Sequence, residues 1–63
     1  MKLKRTKKNI VVTGILNESL LDDVKYTADK SGCNTKSEDF MTKMIISGTP
    51  KQLDTFTKLW NEQ

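Results

Sequence analysis

The segment from Leu16 to Ile45 limits the possible folds most strongly, because it contains an apolar pattern with the period of an α-helix. Residues four apart lie on one face of a helix, so this pattern forms a stripe that must be buried. Gly32 and Lys30 are typical of a helix C-terminus and predict an end near Ser31. Asn17 or Ser19 is expected as the N-cap. The stripe consists of Leu20, Leu21, Val24, Thr27 and Ala28.

A second helix is predicted shortly after Gly32. The sequence Thr35-Lys36-Ser37-Glu38 matches a capping box, in which the Thr35 hydroxyl and the Glu38 carboxylate satisfy backbone amides of the first turn. Its apolar positions follow at intervals that suit a helix. They are Phe40, Met41, Met44 and Ile45.

One segment, Asn9 to Thr13, is rich in β-branched residues and predicts a strand. Its even-numbered side, with Ile10, Val12 and Leu16, is expected to face the core, and Gly14 marks a place where a one-residue slip would exchange the two sides. A single strand leaves its backbone groups unpaired. We therefore expect it to pair with the same strand of a second copy in a twofold dimer.

A third helix is predicted after Gly48, with Thr49 as its cap and Pro50 in its first position. Its apolar face is expected to cover the core, while a docking surface for another protein is the alternative. That face contains Leu53, Phe56, Leu59 and Trp60.

Charge is distributed unevenly along the 63 residues. Five cations lie in residues 1–8, whereas residues 9–63 carry six lysines and eight carboxylates, a net charge of −2. A basic segment on a nearly neutral body favours a polyanionic partner, with DNA or RNA ahead of a membrane, although a solvated tail explains it equally well. The expected organisation is a flexible basic arm at 1–8, a strand-helix-helix core at 9–47 and an amphipathic helix at 49–63.

The order of these elements resembles the ribbon-helix-helix family of DNA-binding proteins over roughly residues 7 to 46. The junction from Leu16 to Leu20 and the helix end at Lys30-Ser31-Gly32 are the most specific similarities. The resemblance implies a mostly α-helical chain with one N-terminal strand, and a ribbon-helix-helix homodimer in which the two strands form an intermolecular antiparallel ribbon. The third C-terminal helix would be an addition to that fold.

The same resemblance implies a sequence-specific repressor of the plasmid, phage or antitoxin type, which inserts its ribbon in the major groove of double-stranded DNA. The strand would read bases with Lys7, Asn9, Val11 and Thr13. The DNA backbone would be contacted by Lys4, Arg5, Asn34, Thr35, Lys36 and Ser37. A toxin or other protein partner would use Leu53, Phe56 and Trp60.

Composition argues against several other classes. The chain has no His, and its only cysteine, Cys33, has no visible base partner, so we expect neither an enzyme nor a metal or other cofactor. No apolar run reaches the roughly 20 residues of a membrane span, and we expect a cytoplasmic protein without a membrane partner.

A different fold is also compatible with the pattern. In this alternative, Phe40 to Ser47 forms a strand, because Met44 and Ile46 alternate with Lys43 and Ile45. The chain would then be a small β-α-β-α module that binds another protein, with the helix at residues 50 to 61 on a small sheet. The capping box at Thr35 favours the helical interpretation.

Overall fold

The computed structural model describes all 63 residues, and a four-stranded antiparallel sheet lies at its centre. Two helices cover one face of this sheet, and the strand order across it is β1-β2-β4-β3. The elements in chain order are β1 (Lys2–Arg5), β2 (Asn9–Thr13), α1 (Glu18–Lys30), β3 (Asn34–Glu38), β4 (Lys43–Ser47) and α2 (Pro50–Asn61).

The predicted strand at Asn9–Thr13 is confirmed, but its predicted isolation is wrong. It lies between β1 and β4, with Ile10 opposite Ile46 and Val12 opposite Met44 in the β4 pairing. Its backbone groups therefore find partners within the chain, and the argument for pairing with a second copy no longer holds.

The expected mostly α-helical fold is wrong, and so is the intermolecular ribbon of a ribbon-helix-helix dimer. The segment read as a capping box forms β3, and β4 replaces the end of the predicted second helix. The cause is tertiary: Met44 and Ile46 lie opposite β2 and are completely buried there. Cross-strand packing of this kind outweighs local helix signals.

The β-α-β-α alternative included β2, α1, β4 and α2, although it began the second strand three residues early at Phe40, and it missed both outer strands. β1 occupies one sheet edge, within the segment expected to be a flexible arm, and β3 occupies the other. Both outer strands are exposed along most of their length and consist mainly of polar or charged residues. Such segments become strands because a neighbouring strand offers them hydrogen bonds, not because of their own composition.

The two confirmed helices are capped as the sequence indicated. The Asn17 side chain accepts a hydrogen bond from the Leu20 amide at 2.9 Å, which starts α1. In α2, Thr49 and Gln52 form a reciprocal capping box, with Gln52 Oε1 accepting from the Thr49 amide at 2.8 Å. Neither helix has the length and apolar character that crossing a membrane requires.

The core lies between the helices and the even-numbered positions of β2 and β4. Gly14 has a φ of +72°, and the chain changes sides there, so Ile15 is buried while Leu16 is 83% exposed. The expectation that Leu16 faces the core is therefore wrong, because β2 ends at Thr13 and the chain turns at Gly14. The buried apolar residues are Ile10, Val12, Ile15, Leu21, Val24, Ala28, Met44, Ile46, Leu53 and Phe56.

Candidate nucleic-acid interface

The sheet has one face without a helix, which we call the open face. Side chains alternate along a strand and directly paired residues share a face, so the sheet register assigns each residue to one side. The open face consists of Lys2, Lys4, Asn9, Val11, Thr13, Asn34, Lys36, Glu38, Lys43, Ile45 and Ser47.

The central row of the open face has an apolar middle and a cation at each end. It runs across the four strands as Lys4, Val11, Ile45 and Lys36. Val11 and Ile45 are half-buried, whereas both lysines are exposed on the outer strands. Lysine stems at these edges can lie along apolar surface while their ammonium groups reach solvent or an anion.

A second row crosses the sheet near the start of β1 and contains Lys2, Thr13, Lys43 and Glu38. Lys43 Nζ lies 3.9 Å from Glu38 Oε1, so the face's one carboxylate is next to one of its four lysines. The face therefore carries an excess of positive charge, which is the electrostatic requirement for binding phosphates.

The third row contains Asn9, Ser47 and Asn34 and is polar without being charged. The Asn9 side chain is held by the β1–β2 turn, because its Oδ1 accepts a hydrogen bond from the Thr6 hydroxyl at 2.8 Å. Lys7 and Lys8 lie in this turn, next to the polar row. Lys7 lines a pocket with Arg5, Thr6 and Pro50, next to the start of α2.

The sequence-predicted DNA contacts divide between the two sides of the sheet. Arg5 points to the covered side, where its guanidinium contacts the Asp54 carboxylate and donates to the Pro50 carbonyl at 3.3 Å. Thr35 and Ser37 also lie on that side, opposite Ile46 and Met44, and Lys7 lies in a turn. The structure brings together Lys4, Asn9, Val11, Thr13, Asn34 and Lys36 on the open face.

Four further residues of this face were not predicted from the sequence: Lys2, Lys43, Ile45 and Ser47. The alternation of Lys43, Ile45 and Ser47 with buried Met44 and Ile46 was the signal that could have identified three of them. Lys2 carried no such signal, since its position depends on the pairing of β1 with β2.

The protein contact expected through Leu53, Phe56 and Trp60 does not fit the structure. Leu53 and Phe56 are fully buried in the core, and the Trp60 ring stacks on Phe56 with centroids 6.1 Å apart. This face of α2 covers the sheet, which confirms the prediction that its apolar residues cover the core.

Comparisons with protein-family models, with curated proteins and with solved structures found no match to the chain.

Proposed function

We propose that the protein binds nucleic acid through the open face of its sheet. The observation that supports this proposal is the central row, in which Lys4 and Lys36 flank the half-buried pair Val11 and Ile45. Lysines at both edges would contact backbone phosphates, while the apolar pair and Thr13 would contact sugars or bases.

The width of the sheet favours a single strand over a groove of duplex DNA. Four strands spaced by about 4.8 Å span about 14 Å between the outer strand axes, before side chains are counted. The major groove of B-DNA is about 12 Å wide and admits two strands. A four-stranded face would instead support an extended single strand, as sheet surfaces do in other nucleic-acid-binding folds.

None of the residues of the open face is aromatic. Base stacking on aromatic rings would therefore supply little of the affinity, and phosphate contacts would supply most of it. We expect weak sequence preference and strong salt dependence. A regulatory role in the cytoplasm is the cellular function that we attach to this binding.

The proposal is tested by fluorescence anisotropy with labelled single-stranded and duplex DNA over a series of salt concentrations. We expect the wild-type protein to bind the single strand more tightly. Replacing Lys4 and Lys36 by Ala should weaken this binding about tenfold and reduce the slope of log affinity against log salt by about 1.4, since two phosphate contacts are lost.

The matched control removes two lysines from α2, Lys51 and Lys58, which are exposed on the helical side. Both double variants have the same net charge, so a specific role of the open face requires that only the Lys4→Ala, Lys36→Ala variant loses affinity. Equal losses of affinity in the two double variants would mean that only the overall charge of the protein matters. If the wild-type protein binds neither DNA at low salt, the proposal is refuted.

A further inference from the structure

A second surface lies at the end of the sheet that carries Lys2 and Lys43, where the β3–β4 turn meets the connection from β2 to α1. Its three apolar side chains are Leu16, Phe40 and Met41, and we call it the apolar tip. Phe40 is as exposed as a side chain in an extended peptide, at 102%, and Leu16 and Met41 are exposed by 83% and 57%. Exposed apolar residues that cluster in this way indicate an interaction site.

The apolar tip borders a shallow cleft of about 260 Å³. Leu16, Glu18 and Leu21 line one side of the cleft, and Phe40, Met41 and Thr42 line the other. The two sides are joined by backbone, because the Ile15 amide donates to the Thr42 carbonyl at 3.0 Å. This hydrogen bond connects the two loops that border the cleft.

The turn holds its apolar side chains outward by an unfavourable backbone conformation. Asp39, Phe40 and Met41 have φ values of 51°, 56° and 70°, in the left-handed region that residues with a Cβ rarely adopt. The Thr42 hydroxyl donates to the Asp39 carbonyl at 2.6 Å and helps to fix this turn. Strain of this kind in a surface turn is typical of a binding site.

Charge around the apolar tip identifies the kind of partner. Glu18 lines the cleft, Asp22 follows one helical turn later, and Asp39 precedes Phe40. Residues 14–24 and 37–42 contain no Lys or Arg, and Lys43, which follows directly, lies 3.9 Å from Glu38 on the open face. This excess of carboxylates disfavours nucleic acid and anionic lipid, and in a twofold contact it would bring carboxylates of both copies into one interface.

We propose that the apolar tip binds a basic amphipathic segment of another protein. Large apolar side chains of that segment would contact Phe40 and Leu16 and enter the cleft, while its Lys or Arg side chains would face Glu18 and Asp39. This arrangement combines an apolar centre with a charged rim, as in other helix-binding surfaces. The proposal does not depend on nucleic-acid binding by the open face.

A synthetic amphipathic helix made only of leucine and lysine is a suitable probe, with a peptide of scrambled order as its control. Isothermal titration should show binding of the ordered peptide and weaker binding of the scrambled one. The Phe40→Ala, Met41→Ala double variant should lose at least about tenfold in affinity, since exposed apolar anchors dominate such contacts. The control is Tyr26→Ala, which removes an exposed aromatic ring of α1 outside the tip. It should change the peptide affinity by less than about twofold.

Three results would overturn the proposal. The first is unchanged peptide binding by the Phe40→Ala, Met41→Ala variant, or equal binding of the ordered and scrambled peptides. The second is a wild-type protein that sediments as a dimer while the Phe40→Ala, Met41→Ala variant sediments as a monomer, because a second copy would then occupy the tip. The third is loss of oligonucleotide binding in this variant with peptide binding retained, which would assign the tip to nucleic acid.

Discussion

The two faces of the sheet use neighbouring residues of the same strands for different purposes. On the covered face, Val12 and Ile46 are completely buried beneath the helices. On the open face, Val11 and Ile45 are only half-buried and lie between lysines. Side chains that are alike in chemistry and adjacent in sequence thus stabilise the fold on one side and form the proposed binding surface on the other.

This difference implies that stability and binding can be altered separately. Burial on the covered face removes large apolar area from water, and the free energy of unfolding depends on that area. Side chains on the open face bury less apolar area, and the lysines there bury little. Substitutions on the covered face should therefore unfold the protein, whereas those on the open face should leave it folded.

The largest effect is expected from Phe56→Ala, which removes the largest fully buried side chain. Truncation of a core Phe costs about 3–5 kcal/mol, and a domain of this size has a total stability of only about 3–9 kcal/mol. Urea denaturation followed by circular dichroism should show a variant that is largely unfolded or close to it.

Ile45→Ala on the open face is the matched substitution for this comparison. Because Ile45 is only half-buried, we expect a loss of about 1 kcal/mol. A loss as large as that of Phe56→Ala would contradict the assignment of this face as open and would indicate that another molecule, such as a second copy, covers it.

Sequence patterns identified those elements whose local signals and tertiary environment agree. The N-cap at Asn17, the spacing from Leu20 to Ala28, and the Thr49-Pro50 start of α2 each act within a few residues, so they are readable without the fold. The β-branched run of β2 was equally clear.

β1 and β3 could not be identified in this way, and β4 was recognised only in the alternative fold, because the stability of these strands comes from distant partners. Thr35 and Glu38 have the spacing of a capping box but belong to an edge strand that pairs with β4. Met44 and Ile45 fit either a helical or an extended pattern, and only the presence of β2 beside them selects the strand. The sheet, and with it the two-layer fold, is therefore determined by pairing between strands that are distant in sequence.

Six of the predicted DNA-contacting residues lie on the open face although the predicted fold was wrong. The alternation along β2 was correct, and it placed Asn9, Val11 and Thr13 on one side irrespective of the strand's partner. Lys36 and Asn34 share that side because an edge strand, rather than a helix start, presents them there. Arg5 lies on the other side of the sheet, where its ion pair with Asp54 depends on the position of α2.

A smaller effect is expected at Gly48, where α2 begins to cover the sheet. A Cβ at this position would lie 2.7 Å from Gln52 Oε1, the atom that accepts the Thr49 amide in the capping box. Gly48→Ala should displace Gln52 and cost about 1 kcal/mol in the free energy of unfolding. Urea denaturation measures this loss.

The control is a double-mutant cycle with Gln52→Ala, which removes the same cap without adding a Cβ at Gly48. Each single substitution should cost a similar amount, and the two together should cost little more than either one. Fully additive losses would mean that Gly48 acts through its own backbone and not through the cap.

The smallest effect is expected at Cys33. The reactivity of its thiol reports how accessible the covered side of the sheet is to solvent near the α2 cap. Its side chain is half-buried against the core, and burial raises the pKa of the thiol above its ordinary value. Because only the thiolate reacts with iodoacetamide, the folded protein should be alkylated more slowly than an unfolded one at about pH 8, where an ordinary thiol is partly ionised. The folded-state rate should rise with pH, with its midpoint above the ordinary pKa. The unfolded chain in urea is the reference, and mass spectrometry follows the modification without affecting the fold. Equal rates in the two states would show that Cys33 is open to solvent, and that the covered side is less closed at this end than the packing of Cys33 against the core implies.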